Sequence, residues 1–432
     1  MRILYFTHYY TPEGNAPATR VSSFAKRWVA SGHDVTVITC VPNVPNGIVY
    51  EGYKNTFWPQ KEVIDGVTLI RVWTWIAANK GVVGRVLNYL SYMVAAFLVS
   101  LTMKKPDIFI ATSPQFFCGW AGVLFSWWTR CTSWFTKRPK FVLEIRDIWP
   151  DSIGAVDAIR SRIILFVLQI FERWMYASAD TIVTVGDGYK RRLVERGVSP
   201  KRIQIVMNGW DEETHRPTME EVTALRSQWN LENQFVCAYI GTIGMACGLD
   251  IYLRAAQLLR ARGVPDVKLV AVGDGAQKES LERQAKALGL DNVLFTGLQS
   301  KRIVSIWLAA SDVCFVHLKK TPLFETVIPS KIFEAAGFSR PILIGVGGDA
   351  KKLVETAAAG ISVEPENEEQ MLSALLQMKE DSKLRRELGE NGYRYVSNHF
   401  TRDSLSLQYL KILRDQIATH PEIASEPQKE IV

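Results

Sequence analysis

Much that would classify this 432-residue chain is scarce in it. Its six cysteines, Cys40, Cys118, Cys131, Cys237, Cys247 and Cys314, fall singly and form no CxxC pair. That argues against a disulfide framework and against a structural metal, and fits a reducing compartment. No GxGxxG follows the first strand-like run, so the dinucleotide fingerprint is missing. The opening MRILYFTHYYTPE lacks the long apolar core and small-residue cleavage site of a secretory signal, and none is expected. Long apolar runs are also rare. The best, over 86–103, is interrupted by Asn88, Ser91, Ser100 and Thr102. It lies at the lower length limit for a membrane span; a helix buried in part, with an exposed edge on a bilayer, is the favoured reading over a full crossing.

What is present is globular. Apolar residues make up 47% and charged residues 22%, and the length allows two domains with separate cores. Charge is unevenly placed. Residues 1–190 hold 20 Lys+Arg against 13 Asp+Glu, whereas the remainder holds 31 of each. Ten of the 13 tryptophans also fall in the first 190 residues. A basic, Trp-rich half suits a membrane surface; nucleic acid would explain only the charge, and no nucleic-acid motif accompanies it. The segment 119–140 concentrates this character in Trp120, Trp127, Trp128 and Trp134, followed by Lys137, Arg138 and Lys140. Core packing is the plainer reading for any one of these tryptophans.

Along the chain, strand and helix periods alternate. A strand over 2–7, a loop with Pro12, Gly14 and Pro17, a helix over 21–31 and a strand over 34–40 form a βαβ unit. In parallel sheets ligands sit beyond the carboxyl ends of the strands, which puts loop 8–20, with Gly14, Asn15 and Arg20, at a site edge. Strands over 107–112 and 140–145 follow. The second runs into Arg146, Asp147, Ile148, Trp149, Pro150 and Asp151, a polar cluster at a carboxyl strand end. Arg146 is suited to phosphate, and Asp147 to orienting a sugar hydroxyl or taking a proton. An Arg–Asp pair closing a loop is the plainer alternative. A helix over 161–179 and a strand over 181–185 come next, and Asn208-Gly209 marks a junction. The βα alternation restarts at Phe235, with glycine loops at 241–248 and 273–275. Residues 391–417 read as one helix and the tail as disordered.

The stretch FETVIPSKIFEAAGFSRPILIG, 324–345, is the densest in chemistry. Ser330 is read as the N-cap of a short helix whose free amides, with Lys331 beside them, make an anion site. Glu334, one turn on, accepts hydrogen bonds only and suits two hydroxyls of a sugar. Phosphate beside ribose describes a nucleotide-sugar site; a capped helix packed on a strand is the plainer reading.

Taken together, GHDVTVIT (32–39), VMNGWD (206–211), YIGTIGMACGLD (239–250), VGDGAQKESLERQAKALGLDNVLFTG (272–297) and VIPSKIFEAAGFSRPIL (327–343) resemble the family 4 glycosyltransferases of GT-B fold. The resemblance covers nearly the whole chain. YYTPEGNAPATR (9–20) and EIRDIWPDS (144–152) look closest to members that build bacterial surface polysaccharides, among which N-acetylfucosamine transferases of O-antigen and capsule synthesis are similar. The resemblance implies two Rossmann-like doubly wound parallel-sheet domains, α/β in class, facing a cleft. It also implies a nucleotide sugar held mostly by the C-terminal half, an acceptor on the N-terminal half, a terminal helix crossing back, retention of configuration, and no metal or other cofactor. Some family positions differ. Thr326 stands eight residues before Glu334 where an acidic residue is usual, with Glu325 at nine. Thr242 and Cys247 replace the Arg and Lys of the glycine loop, and the usual N-domain histidine corresponds to Arg146 or Asp147.

The reading that follows divides the chain into 1–205, an acceptor- and membrane-facing domain; 206–390, a nucleotide-sugar domain; 391–418, a crossing helix; and 419–432, a disordered tail. Arg146, Asp147 and Lys331 are the catalytic candidates. Gly241, Gly244, Glu325, Thr326, Ser330, Lys331 and Glu334 are candidates for the donor, and Gly14, Asn15 and Arg20 for the acceptor. The expected activity is transfer from a UDP-linked sugar to a polyprenyl-diphosphate-linked acceptor in O-antigen, capsule or exopolysaccharide synthesis. The expected location is the inner face of the cytoplasmic membrane, with no nucleic-acid partner. A nucleotide-sugar 2-epimerase of the same fold, or a non-catalytic assembly partner, are the alternatives.

Overall fold

The computed structural model describes residues 1–44, 47–77, 82–113, 115–133, 137–149, 151 and 161–418. Readings that fall on Trp134, Pro150 and the tail 419–432 lie outside the described residues.

The first half is built on β1 (Arg2–Phe6), β2 (Asp34–Cys40), β3 (Gln60–Ile64), β4 (Val67–Val72), β5 (Ile108–Ser113), β6 (Lys140–Ile145), β7 (Thr181–Thr184) and β8 (Ile203–Ile205), in the order β3-β4-β2-β1-β5-β6-β7-β8. Every pairing is parallel except β3 with β4, a hairpin closed through Asp65 and Gly66 that the sequence reading did not contain. Parallel strands need covering on both faces, and here successive residues serve opposite layers. Ile3 and Tyr5 face α1 (Ala16–Ala30). Leu4 and Phe6 face a second layer of α2 (Val82–Ser100), α3 (Phe116–Thr132) and α4 (Arg162–Ser178). α5 (Asp187–Glu195) leads into β8.

The second half repeats the plan. Helix α6 (Met219–Gln228) carries a capping box between Thr218 and Glu221. Then β9 (Phe235–Ile240), α7 (Ile251–Ala261), β10 (Val267–Val272), α8 (Lys278–Ala287), β11 (Val293–Gly297), α9 (Lys301–Ala310), β12 (Val313–His317), α10 (Lys331–Gly337), β13 (Ile342–Gly345), α11 (Gly348–Thr356), β14 (Gly360–Ser362), α12 (Glu368–Glu380) and α13 (Ser382–His399) complete it. Its strands are all parallel, in the order β11-β10-β9-β12-β13-β14. The last element, α14 (Arg402–Ala418), returns to the first half. Its Tyr409 ring meets Phe24 and Trp28 of α1 edge-on at 5.9 and 5.3 Å.

Three boundaries depart from the sequence reading. α1 starts at Ala16, five residues early, because Asn15 caps it by accepting from the Ala18 amide at 2.9 Å and Pro17 occupies its first turn. Proline there removes an amide that has no helical partner anyway. The single helix read over 391–417 is two helices, broken at Phe400 and Thr401; only α14 crosses back, and α13 packs on the second half through α10 and α12. The apolar run begins at 82 and lies flat on the sheet. Tyr92 and Ala96 are buried, and the Tyr92 hydroxyl donates to the Ile38 carbonyl at 2.8 Å. Among the described residues this is the one helix long and apolar enough to cross a membrane, and it serves here as a layer of the domain.

Candidate functional site in the interdomain cleft

The chain passes between the halves twice, at 206–211 and at 400–402, and the two passages are paired side by side. The Trp210 amide donates to the Phe400 carbonyl and the Arg402 amide to the Trp210 carbonyl, both at 3.1 Å. Gly209 is required where they touch, since a Cβ there would meet the Phe400 carbonyl oxygen. This accounts for the Asn-Gly junction read from sequence.

A small cavity opens beside the crossing, lined by Thr19, Arg20 and Arg146, by Ser330 and Glu334 of the second half, and by Arg402 at the start of α14. Its most unusual member is Arg146, at the end of β6. The Nε and Nη1 atoms are shielded from solvent and have no hydrogen-bond partner. Burial pushes the guanidinium down to about 10, offset in part by the nearby Glu144 carboxylate. Shielded guanidinium nitrogens without a hydrogen bond are unfavourable, and an anion from outside the protein is their natural complement.

Glu144 is already engaged. It accepts from Tyr5 Oη at 2.6 Å, Thr112 Oγ1 at 2.9 Å and Arg20 Nε at 3.0 Å. Burial opposes its ionisation, but Arg20 and Arg146 together with these donors hold its carboxyl below the usual range. Arg20, read as an acceptor-loop candidate, lines the cavity but is already engaged. That residue lies inside α1 rather than on the loop, is buried, and directs its remaining nitrogens to the Val206 and Met207 carbonyls and to Asn208. Arg20 holds the crossing in place.

In the second half, Lys331 begins α10, between the cavity-lining residues Ser330 and Glu334. Its ammonium stands 3.4 Å over the Tyr239 ring and has no hydrogen-bond partner; burial pushes it down to about 8. It lies against Gly241, where a Cβ would come 3.0 Å from Nζ and where φ is +134°. Glycine is needed there on both counts. Sequence reading offered Lys331 as the charge that replaces the missing Arg and Lys of the glycine loop, and the structure brings that ammonium to the loop. Glu334, one turn along α10, lines the cavity. Burial raises its carboxyl, against the opposing pull of Arg402, Lys331 and Lys301.

Other candidates are placed differently. Ser330 lines the cavity but does not cap α10: its backbone is helical and its side chain makes no cap hydrogen bond. Glu325 is exposed beside Gly347, and Thr326 donates its hydroxyl to the Leu323 carbonyl while facing Gly188 of the first half. Neither lines the cavity with Glu334. Asn15 is occupied as the α1 cap, Gly14 is exposed with open space around it, and Gly244 precedes the short turn Met245–Cys247. Asp147 follows Arg146 and stands in the field of the Tyr189 hydroxyl. Sequence reading missed Arg402, whose guanidinium donates to the Thr19 and Gly209 carbonyls at 3.0 and 3.3 Å and borders the same cavity. Among the described residues no group of three or more His, Cys, Asp or Glu is arranged to hold a metal ion.

Comparison with known proteins bears on both walls of the cleft. Residues 15–209 match the family described as "Glycosyl transferase 4-like domain", and residues 221–395 match "Glycosyl transferases group 1". WcaI of Escherichia coli K12, named as a colanic acid biosynthesis glycosyl transferase, is 27% identical over 390 residues, which cover 87% of this chain and 92% of WcaI. The N-acetylgalactosamine-N,N'-diacetylbacillosaminyl-diphospho-undecaprenol 4-alpha-N-acetylgalactosaminyltransferase of Campylobacter jejuni is 25% identical over 226 residues, or 49% of this chain and 54% of that one. In structure, Anabaena HepE, crystallised with UDP and glucose, superposes with a TM-score of 0.72 at 16% identity, over 96% of this chain and 99% of HepE. With each half matched in sequence and nearly the whole chain matched in fold, the chain belongs to the family 4 glycosyltransferases of GT-B fold.

Proposed function

We propose that this glycosyltransferase moves a sugar, with retention, from a UDP-linked donor to a polyprenyl-diphosphate-linked saccharide during surface-polysaccharide synthesis at the inner face of the cytoplasmic membrane. One observation carries the reading: each half brings a half-buried cation with shielded nitrogens that have no hydrogen-bond partner, Arg146 on the cavity and Lys331 next to its lining residue Ser330. A diphosphate between them would satisfy both. The names of relatives support the class: WcaI acts in colanic acid synthesis, the Campylobacter enzyme on a diphospho-undecaprenol saccharide, and HepE was crystallised with UDP.

In this reading Glu334 receives the ribose hydroxyls, while Lys331 and the Gly244 amide of the glycine loop receive the diphosphate; Gly241, whose own amide donates to the Val272 carbonyl, supplies the turn beside Lys331. As the bond between the anomeric carbon and the β-phosphate oxygen breaks, its electron pair moves onto that phosphate. Lys331 and Arg146 stabilise the charge that develops, which is electrostatic catalysis by groups already in place. The acceptor oxygen forms the new bond on the same face of the sugar and passes its proton to the departing phosphate oxygen. Asp147 is assigned to the sugar hydroxyls. No metal is given a role, and turnover undiminished by a chelator is the expected result.

The test is incubation of the purified protein with a panel of nucleotide sugars and a lipid-diphosphate saccharide, read by mass spectrometry and by the anomeric configuration of the product. Donor converted without acceptor would replace transfer by epimerisation. Calorimetry that detects no nucleotide binding would leave a scaffold without catalysis. Full turnover by both Lys331→Ala and Glu334→Ala would overturn the site assignment.

A further inference from the structure

Helix α4 is turned inside out. Its one carboxylate, Glu172, is 1% exposed and faces inward with Met175 and Tyr176, while Ile163, Phe166 and Trp174 point outward at 77, 62 and 53% exposure. Inside, Glu172 accepts from Tyr176 Oη and from Arg196, which also pairs with Asp151 at 2.5 Å, so this rotation is fixed by buried ionic contacts. A surface helix of a water-soluble domain shows the reverse arrangement. The property extends across the layer. α2 leaves Leu90 and Leu98 exposed, and α3 leaves Trp127 and Trp128 exposed. These three helices lie side by side, α2 against α3 and α3 against α4, so their outward residues form one continuous apolar face.

We propose that this face of α2, α3 and α4 is a docking surface whose occupant is an anionic lipid bilayer. Charge selects that occupant over a protein of unspecified kind. Glu172 is the only carboxylate on the described residues of the three helices, and it is buried, whereas Arg85, Arg130 and Arg173 are exposed on them and Lys104 follows α2. Indole rings among aliphatic side chains with a cationic rim suit the boundary between headgroups and acyl chains. The face also sits correctly for the cleft. Phe116, the first residue of α3, stacks on Trp149 with ring centroids 5.0 Å apart, three residues beyond Arg146. The start of α3 therefore touches the loop that carries Arg146, so the helix that exposes Trp127 and Trp128 is packed on the site loop at its other end. The inference deepens the membrane location given under the proposed function and rests on that part of it, not on the transfer chemistry.

The test is flotation of the full chain with vesicles of phosphatidylethanolamine and phosphatidylglycerol, beside vesicles of phosphatidylcholine alone. The wild type is expected to float with the anionic vesicles, and a triple variant Ile163→Ser, Phe166→Ser, Trp174→Ser to bind them about tenfold more weakly or worse. Quenching of wild-type tryptophan fluorescence by brominated acyl chains gives the same answer without a variant. Transfer to a water-soluble acceptor analogue separates this proposal from the functional one, since the triple variant is expected to keep the wild-type rate there. Wild-type protein that stays with the supernatant and is not quenched, or a variant that floats as well as the wild type, overturns it. So does a concentration-dependent dimer in sedimentation that the variant abolishes while vesicles bind neither form.

Discussion

The two halves of this molecule solve one packing problem and then treat their surfaces oppositely. Both place helices on a parallel sheet with strands buried on both faces. In the second half the exposed helices carry paired charges: Arg254 with Asp250 and Glu368, Arg262 with Glu369, Arg302 with Glu221. In the first half the layer of α2, α3 and α4 turns indoles and aliphatics to solvent and draws its carboxylate inside. Because the same architecture forms with either exterior, the apolar exterior is no requirement of the fold. The cleft shows the reverse. There the two halves converge, each contributing one cation with shielded nitrogens that lack a hydrogen-bond partner, Arg146 and Lys331.

The sharpest way to break this contrast is to expose the buried charge of the first half. Arg196→Ala leaves Glu172 inside without its cation, and the expected loss is about 3–5 kcal/mol, read as a fall in Tm. The loss has a pH sign. Burial already raises the Glu172 carboxyl to about 7. A carboxyl raised on folding favours the folded state while protonated, and that contribution disappears as pH rises from about 4.5 through 7. Removing Arg196 raises it further, so the variant is expected to lose more at pH 8 than at pH 5.

Next in size are the two cleft cations. Arg146→Ala and Lys331→Ala should each lower kcat/KM by about 100- to 1000-fold, with Tm held or raised because each removes a charge that the free protein leaves uncompensated. Arg20→Ala should do the opposite in kind, lowering Tm because it strands Glu144. Equal behaviour of Arg20 and Arg146 would erase the distinction between a structural and a ligand-seeking arginine on the same wall. A smaller effect tests Lys331 alone. Its ammonium is pushed down to about 8, so kcat/KM for the donor should fall as pH rises through about 8, where the charge is lost. Lys331→Arg should move that limb upward. Smallest of all, Arg262→Ser in the second half breaks an exposed pair and should shift stability by no more than about 1 kcal/mol in denaturant titration.

Legibility followed sequence distance. The restart of the βα alternation at Phe235 and the glycine loops after β9 and β10 fall where the sequence reading puts them, because apolar pattern and flanking glycines are local. The start of α1 is ambiguous in sequence because Pro17 suits a loop and a first helical turn equally. The break at Phe400 and Thr401 has neither glycine nor proline to announce it. Arg146 and Lys331 could be singled out as charges beside a strand end and a helix start. Arg402 could not, since its partners Thr19 and Gly209 are 383 and 193 residues away. Nor could the rotation of α4 be read. Apolar periodicity shows that a helix has a greasy side, and only the Arg196 and Asp151 contacts decide which way it points.

The paired crossings at 206–211 and 400–402 have a mechanical consequence. Two passages far apart would brace the domains like two struts. Two passages lying side by side, with Arg20 and Arg402 fastened to their carbonyls, act as a single strip and leave the halves one easy rotation about its line. The contacts far from that strip, Gly188 against Thr326 and Arg191 with Asp349, then form the latch. A rotation about that line would part those contacts while the cavity floor, built on the strip itself, stayed in register.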